Sequence, residues 1–271
     1  MQACRAATPS LQRLTNPTRS RSMTASGMGI QRTVSRRIDK AIFGYGLIEP
    51  GDRVLIGLSG GKDSVTLAHQ LARRARSFSI PFTAAAVHIR TEYADLAGID
   101  RLRSLADEID LPFEQITISV SGRLQPGRRM NCYWCATQRR TELLRYAQAN
   151  GFTRIALGHH MDDILETFLM NMTQQGEIST MLPVLRYDRY PQWIIRPLAW
   201  VTEEQTEAYA REIGYEAVRC RCGFDTTSRR RTVRRALDAI VEHQGEGARR
   251  QMMRALHNVR ADYMPTFRER E

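Results

Sequence analysis

The chain is poor in lysine, cysteine and long apolar runs. Only Lys40 and Lys62 are lysines, against 38 arginines, and five cysteines are spread over 271 residues. No run approaches the ~20 apolar residues of a membrane span, so a soluble protein with no membrane partner is expected. Five cysteines without a secretory signal do not make a disulfide framework, and they point to a reducing compartment where thiols serve metals or catalysis. Acidic residues are absent from positions 1–38, which hold seven arginines and many Ser and Thr. Residues 1–30 are therefore expected to form a disordered basic arm. An organelle-targeting segment, or a start codon placed too early with Met23 or Met28 as the true start, fits the same composition.

What is present suits a folded domain with a polyanionic partner. The hydrophobic fraction of 42% supports a packed core, and the net charge of +11 favours nucleic acid over a neutral ligand. An arginine-biased codon usage would produce part of the same excess.

Strand and helix patterns alternate. "VSRRIDKAIFGYGLI" has helical periodicity, "RVLIGLS" (53–59) is a buried strand, and "KDSVTLAHQLARRAR" is a helix. The same rhythm continues through strand "FTAAAVHI", helix "IDRLRSLADEIDLP" and strand "FEQITIS". A helix from about Cys135 to Asn150, strand "RIALGHH", helix "MDDILETFLMNM" and strand "QWIIRPL" follow. Thr202 and Gln205 have capping-box spacing for one more helix. Continuously apolar strands at βαβ spacing predict an α/β fold, doubly wound, with a mainly parallel five-stranded sheet. Two Arg-rich helices, near 228–243 and 246–260, close the chain.

The first strand ends in Ser59-Gly60-Gly61-Lys62-Asp63-Ser64. Glycines at a strand-to-helix corner let the backbone approach a phosphate, and the helix N-terminus adds N–H donors and positive charge. Ser59 and Ser64 supply hydroxyls and Lys62 a full charge. The spacing is not a Walker A loop, because Lys62 is followed by Asp63 and position 56 is Ile. Asp162 and Asp163 open the helix after the fourth strand. They reach the same sheet edge, either as helix caps or as ligands beside the phosphates. His159 or His160 could contact substrate there.

Cys132 and Cys135 make a C-x-x-C, which alone fits a redox pair, half a metal site or two buried small hydrophobes. Cys220 and Cys222 form a second close pair far along the chain. Two distant pairs suit a metal, and the C-x-C spacing suits an iron–sulfur cluster better than a closed zinc site. Residues 121–145 hold six arginines against one acid, and residues 226–260 hold nine against three. These runs read as phosphate-binding surface.

The loop resembles the S-G-G-x-D-S loop of the N-type ATP pyrophosphatases, the PP-loop, HUP-like superfamily. With "CYWC" before an Arg-rich helix, "IALGHHMDDILETFLMNM", "IIRPLAW" and the late Cys-containing turn ending in Gly223, residues 31–267 resemble the tRNA 2-thiocytidine synthetases. The resemblance implies a tRNA sulfurtransferase that adenylates the C2 oxygen of an anticodon-loop cytidine, at tRNA position 32, and replaces it with sulfur. It implies ATP on Ser59 through Ser64, Mg²⁺ on the phosphates, and catalytic roles for Lys62, Asp63, Asp162 and Asp163. It also implies a [4Fe–4S] cluster on Cys132, Cys135 and Cys220, with Cys222 as the alternative third ligand. Arg139, Arg140, Arg229, Arg230 and Arg231 would hold the tRNA. A sulfur donor such as a cysteine desulfurase, a homodimer and a cytoplasmic location follow from the family. The domains would be the arm, a PP-loop domain with the cluster over 31–225, and a helical tRNA-binding extension over 226–271. Two departures stand out. The family's second pair is C-x-x-C-G where this chain has C-x-C-G, and Arg90 replaces a common Asp. The alternatives are a thiouridine or lysidine enzyme on the same loop, and a non-enzymatic zinc-dependent RNA-binding protein.

Overall fold

The computed structural model describes residues 25–94, 96–125, 127, 129–217 and 228–265. Helix α1 (Ala25–Tyr45) precedes strand β1 (Arg53–Gly57), helix α2 (Lys62–Ser77) and strand β2 (Thr83–Arg90). Then come α3 (Leu96–Glu108), β3 (Phe113–Thr117), α4 (Cys132–Ala149), β4 (Arg154–Ala156) and α5 (Met161–Gln174). Strands β5 (Val184–Arg186) and β6 (Trp193–Ile195) lead to α6 (Glu203–Glu212), α7 (Ser228–Gln244) and α8 (Gly247–Ala255). A single 3-10 turn, Ala261–Tyr263, lies near the end.

Among the described residues the sheet has six strands, in the order β3-β2-β1-β4-β6-β5. Five are parallel, as expected. The sixth, β5, is a three-residue antiparallel edge strand paired with β6, so the expected five-stranded sheet gains one short strand. Strand β1 sits centrally, and its side chains alternate between two cores. Val54 and Ile56 face the larger core and Leu55 the smaller one. The larger core takes Val34, Ile38 and Ile42 of α1 with Leu67 and Leu71 of α2, and Ile164 and Leu165 of α5 also pack there. The smaller core is closed by Leu143, Leu144 and Ala147 of α4. Helices therefore cover both faces, which explains the uninterrupted apolar strands.

Chain order runs outward from β1 to β2 and β3 on one side, and from β4 to β6 on the other. The crossovers reverse between β1 and β4, and ligands bind open α/β sheets outside such a reversal. Both the Ser59–Ser64 loop and the turn carrying Asp162 and Asp163 emerge there.

Helix α6 starts on the expected capping box. The Thr202 side chain accepts from the Gln205 backbone N–H, and the Gln205 side chain accepts from the N–H of Thr202. Among the described residues, no helix is long and apolar enough to cross a membrane.

Candidate active site

The loop after β1 is shaped by its own hydroxyls. Ser64 Oγ donates to the Gly61 carbonyl at 2.9 Å and accepts from the Gly60 N–H at 3.2 Å. Ser59 Oγ lies 3.1 Å from Ser64 Oγ. Gly60 has φ +89°, a left-handed conformation that a side chain would strain. Gly61 is the N-cap of α2, and among the described residues no side chain caps that terminus. Helix α2 thus begins with unsatisfied N–H donors at the sheet edge, the arrangement that binds anions.

Lys62 does not reach into the cavity. Its Nζ lies 3.0 Å from Asp63 Oδ1 and 3.1 Å from Glu203 Oε1. Burial alone would lower its pKa, but Asp63 and Glu203 outweigh that and raise it, so the ammonium keeps its charge. Asp63 also accepts from Thr206 Oγ1 at 2.5 Å.

The two adjacent aspartates separate. Asp162 is 4% exposed and faces away from the cavity, accepting from the Glu203 N–H at 2.8 Å and from Arg249 Nε at 2.6 Å. It caps α6 and anchors α8. Asp163 lines the cavity, where Oδ2 accepts from the His160 N–H at 3.0 Å and Oδ1 from Arg230 Nη2 at 2.6 Å. Burial pushes the Asp163 carboxyl up, but His160, that N–H and Arg230 hold it below the ordinary range. Burial drives the neighbouring His159 down to about 4; Asp163 opposes the shift, and Arg196, Arg140 and Arg230 add to it.

Helix α7 docks onto this edge through ion pairs. Glu166, 1% exposed, accepts from Arg230 Nε at 2.6 Å and Arg234 Nε at 2.8 Å. Arg234 Nη2 also lies 2.6 Å from Glu203 Oε2, so α7 connects through Glu203 to Lys62 and the loop. Arg230, one of the expected tRNA contacts, lines the cavity and pairs with Asp163. Arg231 is exposed on α7, and the Arg229 side chain lies outside the described residues.

On the other side of the cavity, α4 starts three residues before the sequence pattern suggested. Asn131 caps it by accepting from the Trp134 N–H at 2.8 Å. Cys132 and Cys135 therefore occupy the first turn, i and i+3 on one side of the helix, both half-buried. A helix N-terminus favours thiolate over thiol. Ala136, Arg139, Arg140 and Leu143 of the same helix line the cavity. Cys220 and Cys222 lie outside the described residues, and among those described no three His, Cys, Asp or Glu side chains are grouped to hold a metal.

The cavity measures about 400 Å³. Ser59, Asp63 and Ser64 line one part of it, and Gly158, His159 and Asp163 another. Arg139, Arg140 and Arg230 supply its full positive charges. Sequence reasoning missed Gly158. A Cβ there would lie 2.9 Å from the Ser64 N and 3.1 Å from the Asp63 carbonyl carbon, so only glycine lets the β4–α5 turn touch the loop. Its sequence signal was the glycine of "LGHH". Glu166 and Arg234 were missed too, although a single Glu inside the apolar "DILETFLM" was a signal.

A PP-loop domain family matches residues 30–240. The tRNA-cytidine(32) 2-sulfurtransferase of Xanthomonas oryzae pv. oryzae (strain PXO99A) is 37% identical over 237 residues, 86% of this chain and 77% of the relative. The enzyme of that name from Xanthomonas campestris pv. campestris (strain B100) is 38% identical over 239 residues, 87% of this chain and 79% of the relative. Among solved structures, the U34-tRNA thiolase NcsA from Methanococcus maripaludis, with its [4Fe–4S] cluster, shares the fold. Its TM-score is 0.69 at 22% identity, covering 86% of this chain and 81% of that one. With a PP-loop at the sheet reversal, a cysteine pair on the facing helix and these relatives, the chain belongs to the PP-loop family and, within it, to the tRNA-cytidine(32) 2-sulfurtransferases.

Proposed function

We propose that this protein is an ATP-dependent tRNA sulfurtransferase that converts the anticodon-loop cytidine at position 32 to 2-thiocytidine. The observation that carries the reading is one cavity shared by the phosphate loop, Asp163 and the cysteine-bearing helix α4. The C2 oxygen of cytosine leaves poorly. In the first step it attacks the α-phosphorus of ATP and pyrophosphate departs. In the second, sulfur bonds to C2, the C–O bond breaks, and AMP leaves with that oxygen. The base must be unstacked to enter, which an anticodon loop permits more readily than a duplex.

The α2 N-terminus, Gly60, Gly61 and the Ser59 and Ser64 hydroxyls would hold the departing phosphates. Lys62 holds Asp63 in place and contributes charge at the loop. Asp63 and Asp163, both on the cavity, would bind Mg²⁺ on the phosphates. Asp162, committed to α6 and Arg249, positions the site through the fold.

The donor set fits an iron–sulfur cluster. Cys132 and Cys135 share the first turn of α4, half-buried, where the helix dipole favours thiolates. We assign Cys220 as the third ligand over Cys222, because the C-x-C spacing displaces Cys222 from the family position. Described residues on either side of residues 218–227 contact the phosphate loop and the cavity. Tyr215 OH donates to the Gly60 carbonyl at 3.1 Å, and Arg230 pairs with Asp163. Cys132 and Cys135 would hold such a cluster at the cavity, and when bound it would supply the sulfur chemistry of the second step. A sulfur donor such as a cysteine desulfurase, a homodimer and a cytoplasmic location belong to this proposal. So do tRNA contacts by Arg139, Arg140 and Arg229–Arg231.

The test is anaerobic reconstitution followed by iron and acid-labile sulfide analysis, and nucleoside analysis of tRNA incubated with Mg·ATP and sulfide. Bound iron with new 2-thiocytidine is expected. A protein that binds zinc alone and leaves the tRNA unchanged refutes the reading.

A further inference from the structure

Buried polar groups in native proteins are nearly always hydrogen-bonded, so an orphaned one in a cavity asks for a ligand. Several such side-chain atoms lie on or beside the catalytic cavity. Arg139 Nε, Arg196 Nε and His159 Nδ1 are all buried without a hydrogen-bond partner among the described residues. Arg139 and His159 line the cavity, and Arg140 lines it beside them. Arg196, in the "IIRPL" segment after β6, is 5% exposed and holds the Leu182 carbonyl through Nη1, leaving Nε unused. Burial pulls the Arg196 guanidinium down to about 10, and the Arg140 charge adds to the shift. Tyr187 and Asp163 oppose this, and Asp163 is already paired with Arg230. Arg196 is buried, Arg139 is half-buried with a buried, unpartnered Nε, and Arg140 is exposed beside them; cations crowded in this way are relieved when an anion arrives.

We propose that Arg139, Arg140 and Arg196 form a phosphate subsite, separate from the phosphate loop, that grips the RNA backbone phosphate of the nucleotide being modified. The proposal rests on the thiolation reading and deepens it. The ligand is a phosphate because planar guanidiniums match its oxygens bidentately. RNA is the favoured source because ATP already has its own receptor in the loop and the α2 N-terminus. Placement agrees. Arg139 lies one helical turn, about 6 Å, beyond Cys135 on the helix that carries the cysteine pair. A nucleotide phosphate held there would keep the base between the sulfur side and the ATP side of the cavity. The histidine would be one more polar contact in this wall, neutral at physiological pH.

The variants are Arg139→Met and Arg139→Lys, with Arg235→Ala on exposed α7 as a surface control. Three quantities are measured: thermal midpoint, Mg·ATP affinity by equilibrium dialysis, and tRNA binding and thiolation across a salt series. Removing a half-buried guanidinium whose buried Nε has no partner should leave the midpoint of Arg139→Met unchanged or raised. Mg·ATP affinity should stay within about twofold, while KM for tRNA rises about tenfold or more. The log–log salt slope for tRNA should shrink by about 0.7, one single-stranded phosphate contact. Arg139→Lys should recover only part of the loss, because an ammonium cannot reproduce the fork. Loss of ATP affinity with unchanged tRNA parameters would assign the phosphate to ATP and overturn the RNA subsite. A lowered midpoint with proportionate losses of every function, or no change at all, would overturn it as well. Should wild-type protein bind tRNA but not thiolate it, the functional reading fails, while the midpoint and salt slope still judge the subsite.

Discussion

Replacing Gly158 by Ala tests the idea that the β4–α5 turn sets the position of the phosphate loop. The new Cβ would sit 2.9 Å from the Ser64 N and 3.1 Å from both the Asp63 carbonyl carbon and Ser64 Cα. All three are backbone atoms and cannot rotate aside. Ordinary contact begins near 3.4 Å, so the turn and the first turn of α2 must part by about half an ångström. Overpacking of this kind costs about 1–3 kcal/mol. The displacement falls on the loop that cradles the phosphates, where an error near 1 Å costs about 100-fold in rate. Gly158→Ala should therefore lower the thermal midpoint and reduce kcat/KM for ATP by at least about tenfold. Gly61→Ala is the contrasting variant. Among the described residues its Cβ would meet only Ser59 Oγ, at 3.6 Å, so the fold should tolerate it. That Cβ would still project at the loop, so ATP binding should weaken with stability intact. Thermal unfolding and equilibrium dialysis of Mg·ATP separate the two. Wild-type ATP affinity and stability in Gly158→Ala would refute the packing argument.

Lys62→Ala should abolish thiolation and leave iron content unchanged, since Glu203 keeps Arg234 at 2.6 Å and the helix contacts survive; nucleoside analysis with an iron assay checks both. The depressed pKa of His159, about 4, has a stability consequence. The unfolded chain binds this proton near pH 6.5 and the folded one does not until about pH 4, so stability falls as pH drops through that window, at up to about 1.4 kcal/mol per pH unit. His159→Gln should flatten that part of the pH–midpoint curve. Cys220→Ser should lose the iron chromophore on anaerobic reconstitution and Cys222→Ser should keep it; the reverse outcome would transfer the third ligand to Cys222.

The parallel strands were legible because burial on both faces leaves uninterrupted apolar runs, as in "RVLIG" and "TAAAVHIR". Strand β5 was not, because three residues at a sheet edge, only half-buried, carry no period. The start of α4 lies three residues ahead of its sequence pattern because Asn131 follows a Gly/Pro/Arg-rich stretch without period; its capping bond from the Trp134 N–H shows only in the structure. The loop announced itself through its glycines and the rarity of lysine. Asp162 and Asp163 could not be told apart in sequence, since neighbours on a helix diverge by about 100° and either could have faced the cavity. The arginine run 229–231 hid a division of labour for the same reason. Arg230 and Arg234, four apart, turn inward to Glu166, whereas Arg231 stays exposed. Long-range pairing of that kind leaves no local pattern.

The most direct test of the account uses tRNA carrying ¹⁸O at C2 of cytidine 32. On turnover with unlabelled ATP and sulfide, mass spectrometry should find the ¹⁸O in the released AMP and sulfur at C2 of the nucleoside. Unlabelled AMP, with the heavy oxygen retained on C2 or lost to water, would contradict adenylation of the base as the step this site performs.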